Sequence, residues 1–350
     1  MKKALTLLSI TIASLNFAFA KVPQYTLAVS EYPSWSGTFL TAWDIGLVDG
    51  DAGKLGPIEE KWGIDLVIKD TDYDSCITLF VNGNVDAACL TNIDSLPPSV
   101  TRKAVAILPT STSAGADACI VQPHIEDVKA LKSVKVRGLS ASVSEYTFDK
   151  GLEALGEDPT EYTFENLDPV QVGVVLQSGG IDAGVTWNPV VMETLQSKPE
   201  LKRLFDSSLI KGHIIDMVTA SQESMAGPAG EAFGYALCDV YFSICKLMLS
   251  EATKDQVLTA MGKRFANLKL ENMHTIVAET QFYTTPAKAL ELFEGAELPK
   301  VMTDDIIPWS VSKGLLESDK LPSVAYSSES DANLIFDTQY IRKIAESYER

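Results

Sequence analysis

The sequence predicts an α/β protein built as two lobes, each a mainly parallel sheet with helices on both faces. Three observations lead to this prediction. Short strand-like runs alternate with helical patterns over the first two thirds of the chain, which is typical of parallel sheets. A strand, a helix, Gly-x-Ile/Val-Asp-Ala and a second strand follow one another twice, ending at 85–91 and at 181–187. After residue 213 the pattern changes to one more strand and a series of helical runs.

The elements of the two lobes follow in order along the chain. In the first lobe we predict strands at 25–30, 64–70, 85–91 and 104–110 and helices at 39–48 and 75–83. In the second lobe we predict strands at 117–122, 135–140, 161–167 and 181–187 and helices at 142–156 and 168–179. A strand at 213–221 then returns to the first lobe, and an amphipathic helix follows at 228–249. The expected division is therefore 21–117 and 215–350 for lobe 1, which is discontinuous, and 118–214 for lobe 2.

The first twenty residues have the features of a secretory signal peptide. Lys2 and Lys3 form a basic start, an apolar run follows, and Ala18-Phe19-Ala20 has the small-x-small pattern of a cleavage site. The apolar run is short for a membrane span, and no cysteine follows the cleavage site to carry a lipid. We expect cleavage after Ala20, no later membrane span, and a soluble periplasmic protein.

Composition argues against several classes of partner and cofactor. The formal charge of −18 argues against nucleic acid and anionic membranes, which both require a basic surface. The five cysteines are odd in number, and Cys238 and Cys245 lie too far apart along the predicted helix for a disulfide. The three histidines are widely spaced, so no metal site is expected. Phosphate-binding, dinucleotide, serine-hydrolase and zinc-protease motifs are absent from the sequence, so no catalytic residue and no cofactor is predicted.

Polar and aromatic residues gather where the predicted strands meet the following loops. In open α/β sheets, ligands bind beyond the carboxyl ends of the strands. The candidate ligand-binding residues at these positions are Tyr32, Trp35, Ser36, Asn92, Ser113, Asp117, Ser142, Ser144, Glu145, Trp187, Asn188 and Asp216. The sequence therefore predicts one ligand site with walls from both lobes.

Two parts of this site allow a second interpretation. Ser142, Ser144 and Glu145 begin a helix, where they either cap its free N–H groups or leave those groups to an anionic ligand. Trp35 and Trp187 either clamp a ligand from opposite lobes or belong to the core. Asp94 has the position of a turn or helix-start residue.

The motifs together resemble a known family. "NGNVDAACLT", "TSAGADACIV", "GLSASVSEYTFDKGLEALG" and "QSGGIDAGVTWNP" occur in the order found in substrate-binding proteins of ABC importers, in the nitrate/taurine/alkanesulfonate group. The resemblance covers about residues 22–220. It implies the type II periplasmic binding protein fold, with two α/β lobes and a ligand cleft between them. The chain departs from the group at "STSAGAD", where relatives commonly have an acid at the first position, and at "YPSWSG", so the ligand is not carried over.

The resemblance implies a function and a partner. The expected protein is a monomer that delivers a small polar nitrogen- or sulfur-containing solute to an ABC permease in the inner membrane. Two alternatives are an enzyme on the same fold, as in thiamine-pyrimidine synthases, and the ligand-binding partner of a sensor. The ligand itself stays open: backbone N–H groups suit a sulfonate or nitrate, whereas the aromatic rings with Glu145 or Asp216 suit a cation or zwitterion.

Overall fold

The computed structural model describes residues 22–327 and 330–348. The predicted signal peptide and its cleavage site lie outside the described residues. The strands are β1 (Gln24–Val29), β2 (Asp65–Asp70), β3 (Ala87–Thr91), β4 (Ala104–Thr112), β5 (Asp117–Val121), β6 (Lys135–Gly138), β7 (Thr163–Asn166), β8 (Ala183–Trp187), β9 (Lys202–Asp206), β10 (Ile215–Ser221), β11 (Val324–Ala325) and β12 (Leu334–Phe336). The helices are α1 (Ser36–Asp44), α2 (Pro57–Trp62), α3 (Tyr73–Val81), α4 (Asn92–Thr101), α5 (Val143–Ala154), α6 (Pro169–Ser178), α7 (Val190–Ser197), α8 (Gln222–Met225), α9 (Gly230–Leu249), α10 (Lys254–Arg264), α11 (Leu270–Thr280), α12 (Pro286–Glu294), α13 (Glu297–Val301), α14 (Ile307–Ser312) and α15 (Gln339–Tyr348).

The strands form two sheets. The seven-stranded sheet has the order β11-β12-β4-β10-β3-β1-β2, and the five-stranded sheet has the order β7-β6-β8-β5-β9. We call the part of the chain around the first sheet lobe 1 and the part around the second sheet lobe 2. The division at 117/118 and 214/215 proposed from the sequence remains a prediction about domain boundaries.

The chain passes between the sheets twice, and both passages lie at the cleft. The first leads from β4 through residues 113–116 into β5, and the second leads from β9 into β10. Because β5 and β10 begin at the cleft and lead away from it, they run antiparallel to their neighbours. The other pairings in both sheets are parallel, so each sheet is parallel, as predicted, apart from the single strand that enters it from the other lobe. Asp117 and Asp216 consequently reach the cleft from the amino ends of their strands.

Local sequence features explain the elements that build the cleft. Asp168 caps α6 by accepting the N–H groups of Val170 and Gln171, both at 3.0 Å. Gly179 ends that helix with a φ of 75°, a conformation that costs glycine little. The chain then enters β8, whose five residues are all buried and which ends at Trp187. Helix α4 was not predicted from the sequence, since it contains two prolines.

The main hydrophobic core covers lobe 1 and continues across the contact between the lobes. The twenty-residue helix α9 lies in it. By length and hydropathy α9 passes the test for a membrane span, contrary to the expectation of no later span, but 61% of its most apolar window is buried within the protein. Burial on this scale is typical of the core helix of a soluble fold. All five cysteines are free and buried.

Candidate functional site

A narrow cavity lies between the two sheets, at the strand ends that the sequence indicated. Its walls leave room for about one water molecule. The lining residues come from both lobes and are Tyr32, Trp35, Tyr73, Thr91, Asp117, Val143, Trp187, Ile214 and Asp216. The strand register explains this convergence, because Asp117 is paired with Trp187 across β5 and β8, and Asp216 with Thr91 across β10 and β3.

Four aromatic rings form one side of the cavity. Trp35 and Tyr73 are stacked, with ring centroids 5.3 Å apart and an interplanar angle of 16°. Trp187 meets the same tyrosine edge-on at 5.4 Å, and Tyr32 lies against Trp35 at 4.9 Å. Tyr73 therefore touches both tryptophans, so in this arrangement the two indoles enclose a tyrosine. The Trp187 indole also donates across the cleft to the carbonyl of Glu31 at 3.3 Å.

Three buried carboxylates form the polar side of the site. Asp216 accepts a hydrogen bond from the Ser111 hydroxyl and Asp117 accepts one from Ser113, each at 2.5 Å. Asp94 Oδ2 accepts from the Tyr73 hydroxyl at 2.8 Å and from the Thr91 hydroxyl at 3.1 Å. Each of the three aspartates is less than 5% exposed. Carboxylates held this deeply without a basic partner carry a large desolvation cost.

The pKa values of these carboxyls reflect that cost. Burial raises the pKa of Asp94 to about 6, although three hydrogen bonds to the carboxylate oppose the shift. Burial, with the charges of Asp94 and Asp206, raises the pKa of Asp117 to about 7. Burial and the charge of Asp117 also raise the pKa of Asp216 well above its usual range. Protonation therefore neutralises part of this buried charge near neutral pH.

The start of helix α5 is occupied by a carboxylate of the protein itself. The N–H of Val143, the first residue of α5, donates to Asp94 Oδ2 at 3.2 Å across the cleft. The N–H of Ser144 is bonded to the hydroxyl of the capping residue Ser142 at 3.3 Å. The first two N–H groups of α5 thus have acceptors, and one of these acceptors is the carboxyl group of Asp94.

Several buried polar groups at the site have no hydrogen-bond partner. Burial raises the pKa of the Tyr32 hydroxyl, and the nearby charges of Asp216 and Asp117 raise it further. The hydroxyl nevertheless forms no well-oriented hydrogen bond within the described chain. The Trp35 indole N–H and the Ser144 hydroxyl are also buried without a hydrogen-bond partner. Buried groups of this kind require an explanation, and a ligand is one.

A larger cavity of about 370 Å³ leads to the inner one and shares Tyr73 and Trp187 with it. We call it the vestibule. Its charged residues are Glu31, Asp70, Asp72, Asp168 and Arg264. The guanidinium of Arg264 is bonded to Asp44 at 2.5 and 2.8 Å, so the remaining charges at the entrance are acidic.

The predicted site residues divide into three groups. Those that line the inner cavity are Tyr32, Trp35, Asp117, Trp187 and Asp216; Ser36 lines the vestibule. Ser113, Ser142 and Ser144 lie one step behind the cavity, where Ser113 holds Asp117 and the other two begin α5.

The third group consists of side chains that are bonded to other parts of the fold and do not line the cavity. Asn92 bonds the carbonyl of His213 at 3.0 Å and the N–H of Ile215 at 2.9 Å, which fixes the second passage between the lobes. The Asn188 amide donates to Glu279 at 2.7 Å. Glu145 forms an ion pair with Lys313 at 2.7 Å. These three side chains join parts of the fold, and none of them lines the inner cavity.

The sequence interpretation missed Tyr73 as part of the cavity wall, Asp94 as the carboxylate behind that wall, and Ser111 as the partner of Asp216. Tyr73 is the first residue of α3, and Asp94 lies in the first turn of α4. Both helices follow strands of lobe 1, so their first turns lie at the ligand edge of the sheet. The rule that strand-to-helix loops line the site would have found these residues if it had been extended to the first turn of each following helix.

Two α/β sheets joined by two passages, with a site enclosed between them, define the type II periplasmic binding protein fold, and the predicted fold class is confirmed. The chain is similar to the alkanesulfonate-binding protein SsuA from Xanthomonas axonopodis pv. citri bound to MOPS, with a TM-score of 0.64, 13% identity, and coverage of 86% of this chain and 97% of that one. A putative sulfonate-binding SsuA from Methylobacillus flagellatus KT matches with a TM-score of 0.64 and 10% identity, over 94% of this chain and 96% of that one.

The periplasmic nitrate-binding protein NrtA from Synechocystis PCC 6803 matches with a TM-score of 0.60 and 10% identity, over 94% of this chain and 90% of that one. No protein-family model and no curated protein sequence matches the chain. The likeness is therefore one of fold, and it agrees with the resemblance predicted from the sequence.

Proposed function

We propose that this protein is a periplasmic solute-binding protein that delivers a small polar nitrogen- or sulfur-containing solute to an ABC permease in the inner membrane. The observation that carries the proposal is the inner cavity between the sheets, with walls from both lobes and buried polar groups that have no partner. Opening and closing of two lobes about their connections would admit and retain a ligand there. Two of the similar proteins bind alkanesulfonates and nitrate, which supports a solute-binding role.

The same proposal includes the compartment and the site. The chain is exported, cleaved after Ala20 and monomeric, with lobes divided near 117/118 and 214/215. The ligand is held by Tyr32, Trp35, Asp117, Trp187 and Asp216, with Tyr73 and Asp94 added from the structure. The protein is not an enzyme. Intact mass of the exported protein tests the cleavage site, and a species that retains residues 1–20 or carries a diacylglyceryl group contradicts it.

A binding and uptake experiment tests the function. Purified protein is first unfolded in guanidinium and refolded to release any bound solute, and is then screened by thermal shift against neutral, anionic and cationic small molecules. A ligand that binds the native state alone raises the melting temperature in proportion to RT ln(1 + [L]/Kd). The proposal expects a hit that is returned chemically unchanged, and loss of its uptake when the gene is deleted. Turnover of the hit would support the enzyme alternative, and unchanged uptake would support the sensor alternative.

A further inference from the structure

We infer that the inner cavity, widened by a separation of the two lobes from its present size of about one water molecule, binds a small organic cation, and that it discriminates against sulfonate and nitrate. The cation is a protonated or quaternary amine with at most one hydroxyl or carbonyl oxygen besides. This inference rests on the proposed solute-binding function and names its ligand class. It departs from the sulfonate- and nitrate-binding proteins among the similar structures, whose ligands carry an anionic group.

The charge of the cavity is the first argument. Asp117 and Asp216 line it, and Asp94 stands directly behind Tyr73 and Thr91. No lysine, arginine or histidine is among the described residues that line it. Arg203, on the strand beside Asp117, is bonded to Glu279 at 2.9 Å and to Asp206 at 3.2 Å. A bound cation would balance these carboxylates as they ionise, whereas a bound anion would favour their protonated forms and gain no charge partner.

The aromatic wall is the second argument. Electron-rich ring faces attract cations, most strongly when both are removed from water. Trp35, Tyr73, Trp187 and Tyr32 bring four rings to one small cavity, each of them at most 6% exposed. Rings on one side and carboxylates on the other form a site for an alkylated ammonium group, whose carbon atoms pack on the rings while its charge faces the carboxylates.

The unpartnered polar groups add a third argument, independent of the acidic cluster. The buried Tyr32 hydroxyl can accept a hydrogen from an ammonium N–H and donate its own to a neighbouring carboxylate. The Trp35 indole N–H needs an acceptor, which one oxygen of the ligand supplies. A protonated amino alcohol satisfies both groups.

The N-terminus of helix α5 is a poor site for an anionic ligand in this structure. Helix α5 offers its first N–H to the cleft, and Asp94 already accepts it at 3.2 Å. A sulfonate or nitrate at that helix would have to displace a carboxylate that also accepts hydrogen bonds from the hydroxyls of Tyr73 and Thr91. Metal ions are also a poor fit, since no group of three or more His, Cys, Asp or Glu side chains among residues 22–327 and 330–348 is placed to hold one.

The vestibule agrees with the same ligand class. Glu31, Asp70, Asp72 and Asp168 surround the route to Tyr73 and Trp187. Acidic walls raise the local concentration of cations and lower that of anions, and they speed cation association at low ionic strength. Entrance and cavity thus select the same sign of charge.

The first test compares ligands that differ in charge alone. Stripped protein is titrated by calorimetry and tryptophan fluorescence with choline, ethanolamine and methylammonium, with 3,3-dimethylbutan-1-ol as the uncharged isostere of choline, and with taurine, methanesulfonate and nitrate. We expect binding by at least one cation and at least about 30-fold weaker binding of the neutral isostere, the factor for one desolvated cation–π contact. Tight binding of a sulfonate or nitrate, or equal binding of choline and its isostere, overturns the inference but leaves the solute-binding function standing. If no compound of any charge binds, both fail.

The second test removes one charge at a time. Asp117→Asn and Asp216→Asn should each weaken binding of the cation about tenfold or more, because each deletes a buried charge that faces the ligand. Asp319→Asn removes an exposed charge and serves as the matched control, with unchanged affinity expected. If either cavity variant binds the cation as tightly as the wild type, the assignment is wrong. It is also wrong if an anion binds the wild type more tightly than it binds these variants. Should a cavity variant not fold, the choline and isostere comparison on the wild type decides alone.

Discussion

Replacing Asp117 by asparagine should stabilise the ligand-free protein above neutral pH. Asparagine keeps the size of the side chain and an oxygen for the Ser113 hydroxyl, which donates to Asp117 at 2.5 Å, but it removes the charge. The charged or titratable groups that face Asp117 are Tyr32, Asp94, Asp206 and Asp216. The neighbouring Arg203 is paired with Asp206 and Glu279. The ionised carboxylate is thus the costly form of this side chain in the folded state.

The size of the effect follows from the pKa. In the folded protein the pKa of Asp117 is raised from its usual 3.8 to about 7, and each pKa unit corresponds to about 1.4 kcal/mol, so full ionisation costs roughly 4 kcal/mol. Because the folded carboxyl keeps its proton where the unfolded one has lost it, the free energy of unfolding falls as the pH rises from 4 to above 7. For about 330 residues, with an unfolding entropy of roughly 0.7 kcal/mol/K, this corresponds to about 6 °C.

The assay is thermal unfolding of stripped protein between pH 5 and pH 8, for the wild type, Asp117→Asn and the exposed control Asp319→Asn. Because about 1.2 of the roughly three pKa units of cost are already present at pH 5, the melting temperature of Asp117→Asn should exceed that of the wild type by about 2 °C at pH 5 and by about 6 °C at pH 8, while the control should follow the wild type throughout. A difference that does not change with pH, or that makes the variant less stable at pH 8, would show that the carboxylate is held favourably in the empty site. The reasoning about desolvation would then be refuted.

Three further outcomes are expected. Affinity for the cation should fall as the pH is lowered from 8 to 5, by up to about tenfold per pH unit for each carboxyl that must ionise, because the pKa values of Asp94 and Asp117 are about 6 and 7; an affinity that rises on acidification would indicate an anionic ligand. Trp187→Ala should raise Kd about thirtyfold by loss of a desolvated contact of about 2 kcal/mol, and an effect within about twofold in fluorescence titration would place Trp187 in the core alone. Glu279→Gln should weaken the ion pair and the amide contact that join α11 to lobe 2. Ligand binding should then weaken about fivefold, and small-angle scattering should show a larger radius for the ligand-free protein. Glu294→Gln, whose ion pair lies within lobe 1, should change neither quantity.

The sequence predicted the cavity best where the topology leaves little choice. Trp187 follows a buried strand, and the end of such a strand in an α/β sheet meets the ligand edge. Asp117 and Asp216 were found for a related reason, since they stand where the chain passes between the two repeated units. These positions depend on the order of the elements along the chain, which hydrophobic periodicity reveals.

The sequence predicted the cavity poorly where a side chain has a choice of partners. Asn92 stands at a strand end as predicted, but its amide is bonded to residues 213 and 215, more than 120 positions away. Glu145 turns from the cleft to Lys313, which belongs to the C-terminal helical part of lobe 1. Tyr73 and Asp94 were missed because their local pattern is that of an ordinary helix start. Such long-range partners leave no mark in the neighbouring sequence.

The proposed selectivity for a positively charged ligand depends on the fold more than on any single sequence motif. Asp94, Asp117 and Asp216 are far apart in the sequence, and each one alone resembles a turn or a strand-end residue. The fold brings them to one cavity and places Asp94 on the helix start that the motif "SASVSE" left open to an anion. Since like charges held this close are costly in the empty protein, a cation that balances them would return part of that cost on binding. Lobe closure, which removes water from these carboxylates, would then be more favourable with a positive charge inside than without one, so the same three side chains would contribute both to selectivity and to the coupling of binding to closure.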